Sequence, residues 1–315
     1  MSKRKDKKKL MLVDSSGILH RARHSWVKYD TPILEYFLQD ILEICQDVVP
    51  DKIVLLNDIT KSRFRQELYP EYKGHRKEAQ KKMTNREIKS LDLLNQARKD
   101  ITKFNHILIN GQVNGIEADD ILTRLYKEFR DEYEVIGVSI DKDFFSEIPA
   151  KNMYSHTQKR FRTQEDKYNL SIKQFKMFQV LASDSADFPN LKVKGIGEKT
   201  ALKLVNKYNS FKEMRAVPLE EIESMKDRYV KNALKAIKED SNWEKMKLIY
   251  QLVQLFIDDS KFNADELKQY KNLVNSTKGY SKPKQIVIEE LEDIFFENQA
   301  FNCTNLLEEI SIYLN

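Results

Sequence analysis

Three carboxylates fall within four positions of the segment 115-GIEADD-120, where Glu117, Asp119 and Asp120 stand at the start of a predicted helix. An acid in the first turn of a helix is stabilised by the helix dipole, which explains each residue taken alone. Three together repel one another and favour protonation unless a positive charge lies among them. The segment therefore predicts a cation at this position.

Six more acids follow other predicted elements of the chain. Asp14 comes directly after the apolar run 10–13, Asp58 follows the run 53–57, and Asp141 and Asp143 end the run 135–143. The carboxyl ends of parallel strands meet at one rim of an open α/β sheet, where such sheets form their sites. We expect the acids to converge there. The full candidate set is Asp14, Asp58, Glu117, Asp119, Asp120, Asp141, Asp143, Asp184 and Asp187.

Divalent cations are the simplest partners for this set of acids. Taken alone, each acid is readily explained without a metal, as a turn residue or a helix N-cap. Turn residues have no reason to gather at one rim, whereas Mg²⁺ and Mn²⁺ prefer oxygen ligands. Cys45 and Cys303 follow no metal-ligand spacing, which disfavours zinc. Two ions about 3.5–4 Å apart can hold the attacking and leaving oxygens of a phosphodiester.

Apolar runs alternate with amphipathic helical patterns in the first half of the chain. Predicted strands at 10–13, 53–56, 107–109 and 135–140 alternate with predicted helices such as 33–48 and 121–129. This order indicates an α/β fold with a mostly parallel central sheet and flanking helices. Later patterns are helical, at 172–182, 199–208, 228–238 and 243–257. We predict a basic flexible tail at 1–9, an α/β domain at 10–182 and a helical domain at 183–315.

The composition is that of a mildly basic globular protein. Its 315 residues carry 54 Lys and Arg against 49 Asp and Glu, a net charge of +5, which weakly favours a polyanionic partner. The basic start, 1-MSKRKDKKK-9, is either a solubilising arm or a weak phosphate-binding arm. The apolar run that follows is too short for a signal peptide, and no run could span a membrane. We expect a cytoplasmic protein without a membrane partner.

A basic segment at 61–89 carries ten Lys and Arg against four Glu and directly follows Asp58. Within it, 69-YPEYKGHR-76 interleaves aromatic and basic residues. Bases stack on aromatic rings and phosphates pair with cations, so this pattern predicts a platform for a single strand. The alternative is a solvated basic helix without a ligand.

A glycine turn at 195–197 precedes an amphipathic basic helix in 193-VKGIGEKTALKLVNKYNSF-211. Glycines let the backbone N–H groups of a helix N-terminus approach a phosphate closely. A turn without a ligand is the alternative, but the KTA sequence and the lysines that follow favour phosphate binding.

Six segments taken together resemble the 5′-nuclease superfamily. It includes bacteriophage 5′-exonuclease/RNase H proteins, flap endonucleases and the 5′-exonuclease domains of bacterial polymerase I. The resemblance covers roughly residues 10–257, and in size the chain is most similar to the free-standing bacteriophage members. The segments are 12-LVDSSGILHRA-22, 64-FRQELYPEYKGHR-76, 115-GIEADD-120, 139-SIDKDFF-145, 183-SDSADFPN-190 and 195-GIGEKTA-201.

The resemblance implies a PIN-like sheet, a helical arch at about 60–100 and two Mg²⁺ or Mn²⁺ ions. The first ion would be served by Asp14, Asp58, Glu117, Asp119 and Asp120. The second would be served by Asp141, Asp143, Asp184 and Asp187. Lys73 matches the family's active-site lysine, which would stabilise the charge of the phosphate.

The resemblance also implies a set of DNA contacts. Tyr72 would stack on a base near the scissile bond, and Arg21, Arg65 and Arg76 would steer phosphates. A helix–three-turn–helix motif, which in the family often holds K⁺ through main-chain carbonyls, would grip the duplex. Its residues here would be Lys194, Gly195, Gly197, Lys199 and Thr200.

Three positions depart from the family pattern. Ser183 replaces the usual glycine before Asp184, and 187-DFPNL-191 replaces the usual D-N-I-P-G. Phe145 and Ser146 stand where a glutamine is usual. These changes alter the expected loop geometry but remove none of the nine acids.

The predicted function is structure-selective hydrolysis of phosphodiesters at or near 5′ ends, in replication and repair. Its partners would be DNA flaps, nicks and single-strand/duplex junctions, with RNA–DNA hybrids as a further substrate. The alternatives are an inactive relative that binds branched DNA, a compact RNA-cleaving domain and a polymerase fragment. We predict a monomer in which 260–315 forms a structural cap. The alternative role of that region is contact with a single-strand-binding protein or a polymerase.

Overall fold

A six-stranded sheet forms the centre of the protein. The computed structural model describes residues 7–58, 60–74, 82–104, 108–183, 187–188, 190–255, 258–281, 294–295, 300 and 302–314. The strands are β1 (Lys9–Asp14), β2 (Lys52–Leu56), β3 (Ile109–Gly111), β4 (Glu134–Val138), β5 (Met153–Ser155) and β6 (Arg160–Phe161). Their order is β3-β2-β1-β4-β5-β6, and every neighbouring pair is parallel except β5 with β6.

Both faces of the sheet are buried, which accounts for the nearly continuous apolar sequence of the inner strands. Successive side chains of a strand point to opposite faces. Leu10 and Leu12 of β1 therefore contribute to one hydrophobic core, and Met11 and Val13 contribute to the other.

Helices cover both faces. They are α1 (Ser15–Tyr29), α2 (Ile33–Val48), α3 (Arg63–Leu68), α4 (Asn85–Ile101), α5 (Ala118–Phe129), α6 (Ile172–Ala182), α7 (Glu198–Lys207), α8 (Phe211–Ala216), α9 (Leu219–Ser224), α10 (Arg228–Lys238), α11 (Asp240–Leu252), α12 (Ala264–Gly279) and α13 (Cys303–Ile312). Apolar residues of α1, α2, α4 and α13 share the core of Met11. Those of α5, α6, α7, α10, α11 and α12 share the core of Leu10.

The last two helices pack on the α/β part of the molecule. A Cβ at Gly111 of the edge strand β3 would lie 2.5 Å from Leu56 and 3.0 Å from Leu273 of α12, so the glycine lets these leucines pack closely on the strand. Lys52 donates a hydrogen bond of 2.9 Å to the carbonyl of Thr277 at the end of the same helix. Leu307 of α13 is buried in the core that α2 shares. Both helices thus have a structural role.

The predicted fold class is confirmed, and most elements lie where they were expected. The helices predicted at 33–48, 172–182 and 228–238 have those bounds. The strand predicted at 107–109 is wrong in position, since β3 spans Ile109–Gly111, and β5 and β6 were missed because they are too short to show a pattern. The domain division at 182 stays a prediction, because the core of Leu10 continues into the later helices. Among the described residues, no helix has the length and apolar character needed to cross a membrane.

Candidate active site

The ends of β1 and β2 place two acids at the start of two helices. Asp14, the last residue of β1, caps α1 and accepts a hydrogen bond of 3.1 Å from the Ser16 amide. Asp58 accepts 3.0 Å from the Ser16 hydroxyl and 2.7 Å from the amide of Ala118, the first residue of α5. The N-cap interpretation is thus correct for Asp14, whereas Asp58 binds the start of α5 from another part of the chain, and these contacts fix both carboxylates at the rim of the sheet.

The loop after β4 brings two further acids to this rim. The Ser139 hydroxyl donates 3.0 Å to Asp14 and accepts 3.1 Å from the amide of Asp141. Asp141 in turn accepts 2.8 Å from the amide of Asp143, which opens a short 3-10 turn. The Ser139 hydroxyl therefore links Asp14, at the end of β1, to Asp141 and Asp143, which follow β4.

A buried arginine supplies one of the positive charges that 115-GIEADD-120 requires. Arg65 of α3 is 2% exposed. It donates 2.9 Å to Glu117 and binds both oxygens of Asp120 at 2.6 and 2.7 Å. Its remaining N–H groups reach the carbonyls of Leu252 at 2.8 Å and Gln254 at 3.1 Å. All five N–H donors are satisfied, so α3 is joined to α5 and to the end of α11.

Glu117 also binds the two residues that follow α3 in the chain. The Tyr72 hydroxyl and the Lys73 ammonium each donate 2.8 Å to its carboxylate. Burial favours the neutral acid, but Lys73 and Arg65 outweigh it and hold the pKa of Glu117 below its ordinary value. For Asp120 burial outweighs Arg65 and raises the pKa to about 6.

A cleft of about 480 Å³ opens beside this network. Four of the predicted acids and the predicted lysine line it, namely Lys73, Asp119, Asp141, Asp143 and Asp187. Its apolar walls are aromatic, from Tyr72, Tyr168, Phe175, Phe178 and Phe188. Oxygen donors in an aromatic-walled cleft suit a hard cation and an anionic substrate.

Burial and neighbouring acids raise the pKa of several acids at the rim. Burial and the neighbouring Asp58 raise the pKa of Asp14 to about 7. Burial and Asp141 raise the pKa of Asp143 to about 7, although its side chain retains solvent contact at the cleft. Burial and Asp120 raise the pKa of Asp119 well above its ordinary value. Ligand oxygens of Glu117, Asp119 and Asp120 lie within 4.8 Å of one another, close enough to share an ion.

The glycine turn lies next to the cleft. Gly195 has a φ of 85°, which favours glycine, and Gly197 is the N-cap of α7. Lys194 and Lys199 are exposed on either side, while Thr200 is buried. Glu198, the first residue of α7, lines the cleft, so the glycine turn lies beside it.

Comparison with known proteins places this site in a family. Residues 9–174, more than half of the chain, match the model of the 5′-3′ exonuclease, N-terminal resolvase-like domain. The 5′-3′ exonuclease of Buchnera aphidicola subsp. Schizaphis graminum is 30% identical over 267 residues, which cover 80% of this chain and 88% of the relative. The chain belongs to the 5′-3′ exonuclease family.

Other members of the 5′-3′ exonuclease family extend the comparison. The 5′-3′ exonuclease of Mycoplasmopsis pulmonis is 29% identical over 216 residues, which cover 65% of this chain and 69% of that protein. DNA polymerase I of Bacillus subtilis is 27% identical over 252 residues, covering 75% of this chain but only 27% of the polymerase. The predicted phosphodiester hydrolase of the 5′-nuclease superfamily is confirmed.

Solved structures show the same fold. The flap endonuclease of bacteriophage T5, in a pseudo-enzyme-product complex with DNA and metal ions, has a TM-score of 0.70 at 22% identity and covers 86% of this chain and 100% of its own. The catalytic core of Rad2 in complex with a DNA substrate has a TM-score of 0.52 at 11% identity, covering 93% of each chain.

Two predicted nucleic-acid contacts of this 5′-3′ exonuclease family member need correction. Arg65 cannot steer phosphates, because its donors are consumed inside the protein. Tyr72 is 4% exposed and stacks on Phe188 with ring centroids 5.9 Å apart, so its ring is not open to a base. Arg21 is half-buried and binds Tyr36 at 2.9 Å and Asp40 at 3.3 Å, and its role in steering phosphates stays a prediction. Two predicted residues, Arg76 and Asp184, lie outside the described residues.

Two arginines that the sequence pattern did not single out lie near the first acids. Arg98 of α4 interacts electrostatically with Asp58, with Asp14 and with Arg23 of α1, and burial lowers its pKa. The Nε atoms of Arg23 and Arg98 are buried without a hydrogen-bond partner in the described part of the chain. An arginine on an amphipathic helix gives no sign in the sequence that its guanidinium faces an acidic rim.

Proposed function

We propose that this protein uses two Mg²⁺ or Mn²⁺ ions to hydrolyse phosphodiesters at or near the 5′ ends of branched or nicked DNA and of RNA–DNA hybrids. The observation that carries the proposal is the convergence of Lys73, Asp119, Asp141, Asp143 and Asp187 on one cleft. The family supports the reaction, and the DNA complexes of the T5 and Rad2 proteins support the substrate class.

The donor set fits hard divalent cations. Among the described residues that line the cleft, the candidate metal ligands are carboxylates, and no Cys or His is present. Burial and repulsion by neighbouring acids raise the pKa values of Asp14, Asp119 and Asp143, and a bound cation would offset both effects. We assign Asp14, Asp58, Glu117, Asp119 and Asp120 to the first ion, and Asp141, Asp143, Asp184 and Asp187 to the second. When bound, such ions polarise water and neutralise the charge that develops on the phosphoryl group.

Lys73 is the residue we assign to the scissile phosphate. Its Nζ lines the cleft and is held by Glu117, which Tyr72 and Arg65 fix in turn. A cation held in place before the reaction stabilises developing negative charge without reorganising. Arg65 and Tyr72 are therefore positioning residues, and Lys73 is a catalytic one.

The remaining basic groups would bind the nucleic-acid backbone. Lys194 and Lys199 flank the exposed glycine turn and would contact duplex phosphates, with K⁺ held by the turn's carbonyls. Arg98, which interacts electrostatically with Asp58 and Asp14, and its neighbour Arg23 would contact phosphates near these acids. Contacts of this kind read backbone shape and not base sequence.

The test is cleavage of matched substrates by the full chain. A 5′-flap DNA, a nicked duplex, an RNA–DNA hybrid and a 3′-flap control are incubated with Mg²⁺, with Mn²⁺ and with EDTA. We expect metal-dependent cleavage of the first three, leaving 5′-phosphate and 3′-hydroxyl ends. Tight binding of the 5′ flap without cleavage under any metal would contradict the proposal and favour the inactive alternative.

A further inference from the structure

A second cavity, of about 470 Å³, lies outside the acidic cleft. We call it the apolar groove. Its buried floor is formed by Met177 and Met246, and its walls are formed by Phe211, Trp243 and Tyr250. Tyr250 is 39% exposed. Aromatic residues and methionine are enriched where proteins bind partners, and an apolar pocket open to solvent marks such a site.

Lysines form the polar rim of the apolar groove. Its four charged lining residues are Lys173, Lys176, Lys212 and Lys247, and no acid lines it. Lys176 is paired with Glu147 at 2.5 Å and Lys247 with Glu244 at 2.6 Å. Lys173 and Lys212 are exposed and have no ion pair within the described residues. The rim therefore carries two uncommitted positive charges next to an apolar floor.

The apolar groove shares its helices with the catalytic cleft. On α6, Lys173 and Met177 face the groove, whereas Phe175 and Phe178 face the cleft. The helix α11 also lines both cavities. Its residue Trp243 lines the groove, and its last residue, Leu252, lines the cleft. A molecule seated in the groove would contact the outer side of the two helices that form the cleft wall.

The aromatic rings of the apolar groove are arranged for insertion of a side chain and not for stacking of bases. Phe211 and Tyr250 meet edge to face, with centroids 6.4 Å apart and planes at 86°. Arg215 lies 4.8 Å from the centre of the Trp243 ring and covers one of its faces. A single-strand platform needs open ring faces in series, and this site does not present them.

We propose that the apolar groove binds a short acidic segment of a partner protein. One large apolar side chain of that segment enters between Met177 and Met246, and its carboxylates pair with Lys173 and Lys212. Apolar anchors in a pocket supply most of the affinity of such contacts, and complementary charge supplies selectivity. This interaction is separate from the nuclease reaction and would tether the enzyme to another protein.

Trp243 provides a direct reporter of occupancy. The chain has two tryptophans, and Trp26→Phe leaves Trp243 as the only one. The probe is a short synthetic peptide that combines phenylalanine and leucine with aspartates. We expect it to change Trp243 fluorescence saturably, in a salt-sensitive manner. Replacing its aspartates with lysines, or its apolar residues with serines, should abolish the change.

Two double variants each replace two lysines with glutamates, one pair at the groove and one pair away from it. Lys173→Glu with Lys212→Glu should weaken peptide binding by about tenfold or more, because like charges then face each other. Lys268→Glu with Lys271→Glu, on exposed positions of α12, should leave binding unchanged. Tyr250→Ser tests the apolar wall independently, and cleavage activity reports that each variant is folded.

Several results would overturn the proposal. The first is that the lysine-substituted peptide binds as tightly as the aspartate peptide. The second is that the double substitution at Lys173 and Lys212 leaves the affinity for the aspartate peptide unchanged. The third is that the aspartate peptide does not bind. A fluorescence change with a single-stranded oligonucleotide but not with the acidic peptide would assign the groove to nucleic acid instead. Concentration-dependent dimerisation that buries Trp243 would assign it to a second copy of the chain.

Discussion

At the scale of the residue, local contacts account for the position of each acid but not for its protonation. Asp14 caps α1, and Asp58 binds the first amide of α5. These roles would suit a protein without any chemistry. The pKa of Asp14 is nevertheless raised to about 7, because burial and Asp58 disfavour its charge. A site that keeps this repulsion in its folded state is adapted to receive a cation.

Lys73→Ala should slow single-turnover cleavage by about 10²–10³-fold, the usual cost of removing one donor from a site of developing charge. Binding of the substrate should weaken much less, because other basic groups hold the backbone. Rapid-quench kinetics and equilibrium binding in EDTA separate the two effects. Lys151→Ala, an exposed lysine outside the cleft, is the control. An unchanged single-turnover rate would refute the catalytic role of Lys73.

The stability of the metal-free protein should fall as pH rises. The pKa of Asp14 and of Asp143 is raised to about 7 in the folded protein. A raised pKa stabilises the fold fully below the unfolded value near about 4, and this contribution is lost as pH rises through 7. Mg²⁺ needs the deprotonated acids, so it should raise the Tm over that in EDTA more at about pH 8 than at about pH 5. Equal increments at both pH values would count against these assignments.

At the scale of the element, Arg65 holds three helices in place around the site. It joins α3 to Glu117 and Asp120 at the start of α5 and to carbonyls at the end of α11. In the sequence this residue is one of ten cations in a basic segment, and nothing distinguishes it from those that face solvent.

Arg65→Met should reduce the free energy of unfolding by about 3–5 kcal/mol, because it removes the partner of the buried Asp120 carboxylate and one of the three partners of Glu117. Arg160→Met is a matched control, since Arg160 binds both oxygens of Asp166 at 2.9 and 2.8 Å but is exposed. That change should cost much less, because solvent screens an exposed ion pair. Urea unfolding measures the free energy of unfolding of both variants. An equal loss in the two variants would contradict the structural role of Arg65.

The elements also show why sequence reasoning succeeded and where it stopped. Acids that follow apolar strands converge because parallel strands end at one rim, so Asp14, Asp58 and Asp141 could be predicted. The partners of Glu117 could not, since Arg65 and Lys73 come to it across 52 and 44 residues of chain. Tyr72 was expected to stack on a base, but its hydroxyl is drawn inward to the same carboxylate.

At the scale of the whole molecule, the acidic rim of the sheet lies beside basic groups although the net charge is only +5. Arg65 and Lys73 pair with acids inside the protein, whereas exposed lysines flank the glycine turn beside the cleft. The small net charge therefore does not describe the charge available at this surface. Such a surface binds a polyanion by releasing its counterions.

Binding of a 5′-flap DNA in EDTA should weaken steeply with salt. Lys194→Ala and Lys199→Ala should each reduce the slope of log K against log salt by about 1, whatever the base sequence. Lys271→Ala, an exposed lysine on α12, should leave the slope unchanged. A flat salt response of the unmodified protein would exclude a phosphate-binding role for these lysines.

The most direct test of the metal-dependent site is the single-turnover rate of Asp141→Asn on a 5′-flap DNA with Mg²⁺. Asparagine keeps an oxygen for the amide of Asp143, so the loop is preserved while the charge is removed. We predict a rate at least about a hundredfold lower, since loss of even an outer partner of a metal ligand costs 10–100-fold. Binding should persist, and Asp131→Asn at an exposed position should behave as the unmodified protein. Full activity of Asp141→Asn would contradict the metal assignment.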